Sequence, residues 1–489
     1  MKTRVRFLFI LLAGVLCVCA AFAGGEKEAG IPRIVIATAE GPMTWTVENY
    51  KQEFERANNC QIELITFPFG EYYQKMMTSF TLGSGAYDMV LFPVGYVGDF
   101  AGGGYLLSLD EYINNDADIQ WNDIMPVYRE RIASWGGETV CVPIDGDLHT
   151  TVVRIELMEN AEHRRKFKEK YGYEIQLPDT WEQYYDLCEF AHNWDWDGDG
   201  KTEYGAGEAQ NKGGQSYWIF LSRALSYTCI AGQPGTVFDP DTMKPLINNP
   251  GFVQALEDWK KLLNVSIPGT TNMDVTETRE IYISGDVLGT IDWGDVPQLS
   301  ASAPESRIKG QFATIINPGV TKVWNWKTNK WQDFPQVNKA PFLAFGGWAF
   351  GLTSTCKAPE LAYKFISYVS TPERSLEAVL NPRSARQPYR KSHFANLEKW
   401  KEFGFSDPAE EYIDAVDETL AHPNVRADLR IPGTGRYYDA LDVGIARALA
   451  GEISAKQALD EVAARWDEIT NELGRESQLK YYRDSIGVQ

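Results

Sequence analysis

Residues 33–92 constrain the fold of this chain more tightly than any other stretch. Three apolar segments, RIVIAT at 33–38, QIELITF at 61–67 and YDMVLF at 87–92, alternate with two segments of helical period. In the first of these Tyr50, Phe54 and Ala57 share a face, and the second runs over 72–82. Strands alternating with helices predict an α/β unit around a largely parallel sheet. Ligands of such sheets collect at the carboxyl ends of the strands. The loops after Thr38, Phe67 and Phe92 are therefore candidate binding loops, with Glu40, Trp45, Tyr72 and Tyr96 as their candidate ligand residues.

A second informative stretch is FLAFGGWAFGLTSTCKAPELAYKFISYV at 342–369. Its first half reads as a buried strand interrupted by Gly346 and Gly347. A glycine pair there marks a bulge, or a place where a ligand or another backbone comes close. Its second half reads as an amphipathic helix, with Pro359 in the first turn and Leu361, Ala362, Phe365, Ile366 and Val369 on one face. A strand presenting a glycine pair and Trp348 before such a helix is a candidate ligand wall.

Three segments carry a family resemblance. GGWAFGLTSTCKAPELAYKFISYVSTPE at 346–373, Pro178-Asp179-Thr180-Trp181-Glu182, and Gly104-Tyr105-Leu106-Leu107-Ser108-Leu109-Asp110 resemble matching segments of extracellular solute-binding proteins of ABC importers. The resemblance is to the large carbohydrate-binding, maltodextrin-binding-like group, and the segments occur in that family's order. It implies a two-lobed periplasmic-binding-protein fold of type II, with ligand between α/β lobes joined by crossing segments. The crossings are expected near 143–148, 286–292 and 343–347. Lobe 1 is then 31–146 plus 292–345, and lobe 2 is 147–291 plus 346–489. The resemblance also implies a membrane permease partner with a separate ATPase, and a monomeric receptor.

At 489 residues the chain exceeds one compact core, as two lobes require. The formal net charge of −20 argues against nucleic acid and anionic membrane surfaces as partners. Lys2, Arg4 and Arg6 before an apolar run at 7–18, then Ala21-Phe22-Ala23, read as a signal peptide over 1–23. Residues 24–30 follow as a tether. The protein is expected to be exported to the periplasm or cell envelope, and lipid attachment at Cys17 or Cys19 stays open. Cys60, Cys141, Cys188, Cys229 and Cys356 remain, an odd number without C-x-x-C spacing, so at least one thiol is free.

The most specific chemical motif is Asp195-Trp196-Asp197-Gly198-Asp199-Gly200-Lys201-Thr202-Glu203. Acidic residues at loop positions 1, 3 and 5, with glycine at 6, match the first half of a calcium loop. Asp195, Asp197 and Asp199 supply side chains, Lys201 its carbonyl and Glu203 position 9. Ala206 stands where the usual bidentate glutamate would be, so Glu208 or water completes the shell. The expected cofactor is a structural Ca²⁺; the competing reading is a solvated acidic turn.

Asp145 and Asp147 flank Gly146, Asp292 precedes Trp293, and Arg386 lies in a loop. Carboxylates that bind hydroxyls around tryptophan faces suit a sugar, so Asp145, Asp147, Trp293, Trp348 and Arg386 complete the expected ligand set. For each tryptophan, plain core packing competes with this reading. The chain has no G-x-S-x-G and no H-E-x-x-H, and Gly102-Gly103-Gly104 lacks the lysine of a phosphate loop. The leading expectation is a carbohydrate receptor without catalytic activity. The alternatives are a secreted glycosidase or lyase using Asp145, Asp147 or Asp292 as acid and base, and a calcium-dependent surface interaction protein.

Overall fold

Residues 33–92 fold as their periodicity predicts. The structure, a computed structural model, describes residues 31–405 and 408–488. The signal peptide 1–23 with Cys17 and Cys19, and the tether 24–30, lie outside the described residues.

The first lobe is built on a five-stranded sheet in the order Gln61–Phe67, Arg33–Ala39, Met89–Pro93, Trp348–Leu352, Val142–Pro143. The first three strands are parallel, and Trp348–Leu352 runs antiparallel to Met89–Pro93, with Trp348 opposite Pro93. Met89–Pro93 is buried along its whole length, as expected of a central strand with helices on both faces. The Trp45–Asn58 helix packs on Pro359–Val369 through Phe54 and Phe365, whose rings lie edge to face at 5.1 Å.

The second lobe holds a four-stranded sheet in the order Phe312–Ile315, Thr150–Arg154, Val287–Asp292, Tyr204–Ala206. Its Trp181–Ala191 helix starts where the sequence places it, because the Thr180 side chain and Gln183 form a capping box. Pro250–Leu262 starts on an Asn249 cap with proline in its first turn. Thr434–Leu449 and Ala455–Leu473 pack on each other and on Pro250–Leu262. Residues 320–338 form a hairpin, Val320–Asn325 against Lys330–Asn338.

The expected lobe boundaries need correcting. Phe312–Ile315 pairs with Thr150–Arg154, so that part of 292–345 belongs to the second lobe. Trp348–Leu352 pairs with Met89–Pro93 and Val142–Pro143, so the start of 346–489 belongs to the first. The expected crossing at 286–292 is instead an interior strand, Val287–Asp292, buried between two neighbours. The chain passes from the first sheet to the second at 144–149, between Val142–Pro143 and Thr150–Arg154, and back at 344–347, ahead of Trp348–Leu352, beside the expected 143–148 and 343–347. The third begins along 384–390, is still tied to the first lobe by the Ile124–Arg390 bridge and the Ser392 N bond to Asp123, and ends where Lys401–Phe405 packs on Asp295–Ser302 and Pro408–Ala421 on Phe312–Ile315.

These three crossings lie side by side. The Gln387 amide N donates to Asp145 Oδ1 at 3.0 Å, and the Ile144 N to the Trp348 carbonyl at 2.9 Å. The spacing demands glycine: a Cβ on Gly146 would collide with the Pro388 carbonyl oxygen. One on Gly347, at φ +92°, would sit 2.5 Å from the Asp145 oxygen.

Candidate ligand site between the lobes

A relay of aromatic rings runs across the seam between the lobes. Trp293, at the end of a second-lobe strand, meets Trp218 at 5.7 Å between ring centroids. Trp218 meets Phe345 of the crossing at 5.5 Å, Phe345 meets Trp348 at 6.1 Å, and Trp348 meets Phe69 of the first lobe at 6.2 Å. Phe69 is 48% exposed, so the relay ends in an open apolar face. Beside it the half-buried Tyr96 of the first lobe and Tyr217 of the second come together. Burial, then Asp428, Asp442 and the Tyr96 phenol, push the Tyr217 hydroxyl up.

The sequence pointed to Trp293, Trp348 and Tyr96, and the structure brings them to this seam. Phe69, Tyr217, Trp218 and Phe345 were missed. Glu40 is exposed just past the Arg33–Ala39 strand, with its N bonded to the Phe67 carbonyl at 2.7 Å. Trp45 is half-buried with its ring edge-on to Tyr50 at 5.9 Å. Tyr72 is a correction: fully buried, it donates its hydroxyl to the Leu91 carbonyl at 3.2 Å and packs behind Tyr96, which leaves it no face for a ligand. Trp293 is largely spoken for as well, since its Nε1 donates to the Ala344 carbonyl at 3.0 Å and His149 lies edge-on to its ring at 4.0 Å.

Asp145, Asp147 and Arg386 come together where the crossings meet. Arg386 is buried and donates to the Thr46 hydroxyl and the Met43 carbonyl, tying the third crossing to the loop after the first strand. Asp147 Oδ1 accepts from Gln387 Nε2 at 2.6 Å, while Asp145 Oδ2 has no protein partner. Asp292 is held by Arg279, at 2.6 Å from Nη2 and 3.0 Å from Nε.

Burial pushes Asp145 up to about 6, and burial plus the charge of Asp145 pushes Asp147 well above the carboxylate range. A carboxyl raised in the folded state binds protons there that the unfolded chain has released. Its stabilising effect is full below the unfolded value and is lost as pH rises through the folded one. Stability is therefore expected to fall as pH climbs from about 4 through 6 and beyond. Asp147→Asn, which keeps an acceptor for Gln387, should flatten that decline in urea unfolding at a series of pH values. An unchanged pH profile would refute it.

The acidic loop is also formed. Ligand atoms of Asp195, Asp197, Asp199 and Glu203 all lie within 4.8 Å of one another, and Gly198 and Gly200 adopt φ of 82° and 88°. The Lys201 side chain points to Asp286 at 3.6 Å, and Asp197 also receives Arg154 at 3.0 Å. Glu208 is not available to this loop. It is fully buried and accepts from Arg223 at 2.9 Å, Trp259 at 2.5 Å and Tyr184 at 3.2 Å.

A depression of about 470 Å³ lies elsewhere in the second lobe, lined by Tyr185, Arg223, Asp258, Lys261 and Trp331 among others. Three of its charged groups already have partners: Arg223 has Glu208, Asp258 the Tyr227 hydroxyl, and Lys261 the Tyr185 ring. The interlobe seam is the better candidate, because there the exposed Phe69 ring meets Trp348 beside the crossings.

Comparison with known proteins follows this geometry. A family model for bacterial extracellular solute-binding proteins matches residues 39–374. Among solved structures, an ABC transporter solute-binding protein from Agrobacterium radiobacter in complex with ribitol is similar with a TM-score of 0.69 at 19% identity, covering 90% of this chain and 98% of its own. The sugar-binding protein MalE of Xanthomonas citri gives 0.67 at 18% identity, covering 90% and 98%. Maltose-bound MalE3 from T. maritima gives 0.66 at 20% identity, covering 89% and 99%. At these identities the likeness establishes the two-lobed fold.

Proposed function

The chain belongs to the bacterial extracellular solute-binding proteins, and from that premise we propose that it is the receptor of an ABC importer that captures a carbohydrate or polyol between its lobes. The observation that carries this reading is the aromatic relay that crosses the seam and ends in the exposed Phe69. Flat apolar faces match the C–H faces of sugar rings. Structural neighbours hold ribitol and maltose, which is consistent with such a site. A ligand touching both lobes favours the closed arrangement by its differential contacts, and the crossings at 144–149, 344–347 and 384–390 are where the lobes pivot. Export, delivery to a membrane permease with its own ATPase, and action as a monomer belong to the same proposal.

Phe69→Ala tests it. The ring is largely exposed, so the melting temperature should stay within about 2 °C. Affinity for the cognate sugar, titrated calorimetrically, should fall about tenfold or more, each tenfold being about 1.4 kcal/mol. Unchanged affinity would remove Phe69 and the relay's first-lobe end from the site. The enzymatic alternative is less well supported: Asp145 and Asp147 are enclosed by the crossings, and Asp292 is held by Arg279.

The same reading includes a structural Ca²⁺ in the acidic loop, with Asp195, Asp197, Asp199 and Glu203 as side-chain ligands and the Lys201 carbonyl beside them. The convergence of four carboxylates within 4.8 Å supports it, as does the glycine that the sharp turn needs. Calcium at a hundred times its dissociation constant should add about 2.7 kcal/mol of stability, reversed by chelator. Asp199→Asn should abolish most of that gain. A melting temperature indifferent to both calcium and chelator would remove the ion.

A further inference from the structure

Asp428 stands outside every motif read from the sequence, yet it occupies the point where the second lobe grips a crossing. It follows the short Arg426–Ala427 strand, which pairs in parallel with Phe342–Leu343 at the second-lobe end of the 344–347 crossing. The carboxylate is buried, and its two oxygens divide their partners by location. Oδ1 accepts from the Leu429 N at 2.8 Å and from the Tyr438 hydroxyl, both within the second lobe. Oδ2 accepts from Trp218 Nε1 at 2.7 Å and from the backbone N of Phe345 at 3.1 Å. One oxygen thus joins an aromatic wall of the proposed ligand site to Phe345 of the hinge.

That residue is held in a costly conformation. Phe345 has φ 65°, in the left-handed region that a bulky side chain avoids, and Gly346 and Gly347 continue at 75° and 92°. Three consecutive positive φ values make this the sharpest bend of the three crossings. Such a conformation persists only where its surroundings over-determine it. The Asp428 bond to the Phe345 amide, with the Trp218 and Trp348 rings on either side, supplies those surroundings.

We propose that Asp428 is a positioning residue that couples ligand contact at Trp218 to the backbone setting of the 344–347 crossing, and so to the angle between the lobes. A ligand that fixes the indole fixes Oδ2, and Oδ2 fixes the amide at the bend. The reverse also holds, since coupling between two sites is reciprocal. This rests on the interlobe ligand site proposed above, but its test needs no ligand, so the two fail separately.

Spin labels at Gln52→Cys in the first lobe and Glu257→Cys in the second, both exposed positions, report the interlobe distance in residues 24–489; among the described residues Cys356 is the one thiol that is not buried, and Cys356→Ser removes it. In the ligand-free protein, Asp428→Asn should shift or broaden the distance distribution, because an amide cannot accept at both ends. Trp218→Phe, which keeps a ring but loses the N–H donor, should shift it the same way, and stands in should Asp428→Asn fail to fold. Tyr438→Phe removes a partner of Oδ1 only, and should lower the melting temperature with the distances unchanged. Distances left at the wild-type value in Asp428→Asn or Trp218→Phe would overturn the proposal. An equal shift in Tyr438→Phe would overturn it as well, because the effect would then come from general loosening of the lobe.

Discussion

Gly347→Ala is expected to cost about 3–4 kcal/mol of unfolding free energy, the sum of left-handed strain and overpacking. The residue sits at φ +92°, and an added Cβ would lie 2.5 Å from the Asp145 carbonyl oxygen and 3.4 Å from the Asp147 N. Both neighbours are backbone of another crossing, so relief requires the crossings to part. Gly104→Ala is the control: it has φ +74° but nothing within 4 Å of its added methyl, so strain of about 1 kcal/mol is all it should show. Urea unfolding of both variants isolates the contact. Equal costs would mean that the crossings are not packed as closely as the glycines indicate.

Arg223→Met should cost about 3–5 kcal/mol, because it leaves a buried carboxylate without its cation. Glu208 is fully buried and Arg223 only 2% exposed, and their ion pair measures 2.9 Å. The guanidinium also stacks on Trp181 at 4.1 Å, which a methionine replaces in part. The double variant with Glu208→Leu should recover much of the loss, since removing both charges also removes the desolvation that each imposed. A single-variant cost below about 1 kcal/mol in urea unfolding would show the pair to be dispensable. The same result bears on the acidic loop, since Glu208 engaged in this pair cannot complete a cation shell there.

The architecture was legible where local pattern and tertiary role coincide. Alternating strand and helix periods over 33–92, the Thr180 capping box and the Asn249-Pro250 helix start all carry their own signals, and all appear. The Gly346-Gly347 pair carried a related signal, read as a bulge or close approach, and the structure shows that approach at Gly347; the crossings themselves were placed only by the family resemblance. The third crossing left no such signal. Val287–Asp292 and a hinge segment look alike in sequence, an apolar run before an acidic residue, and only pairing on both sides shows the former to be an interior strand. Strand membership was equally silent, since Trp348–Leu352 is buried throughout and nothing in it says which sheet it joins.

The proposed ligand residues show the same limit. Phe69 and Tyr72 lie three positions apart on one helix and share a face by spacing, yet Tyr72 is fully buried and Phe69 is exposed in the first turn. Trp218 reads as one apolar residue among many in SYWIFLSRA, and its role follows from Asp428, which is 210 positions away. Residues that meet only through the tertiary fold leave no local signal.

The central claim is that the interlobe seam binds a carbohydrate and releases it intact. A thermal-shift screen of residues 24–489 against sugars, polyols and short oligosaccharides, run in parallel with Phe69→Ala, addresses it most directly. A sharp rise in melting temperature is expected for one ligand or a narrow group, equivalent to about 2.7 kcal/mol at a hundred times the dissociation constant. That rise should shrink in Phe69→Ala at equal ligand concentration, and the ligand should be recovered unchanged. A flat response across the panel, a rise undiminished in Phe69→Ala, or recovery of cleaved sugar would contradict it.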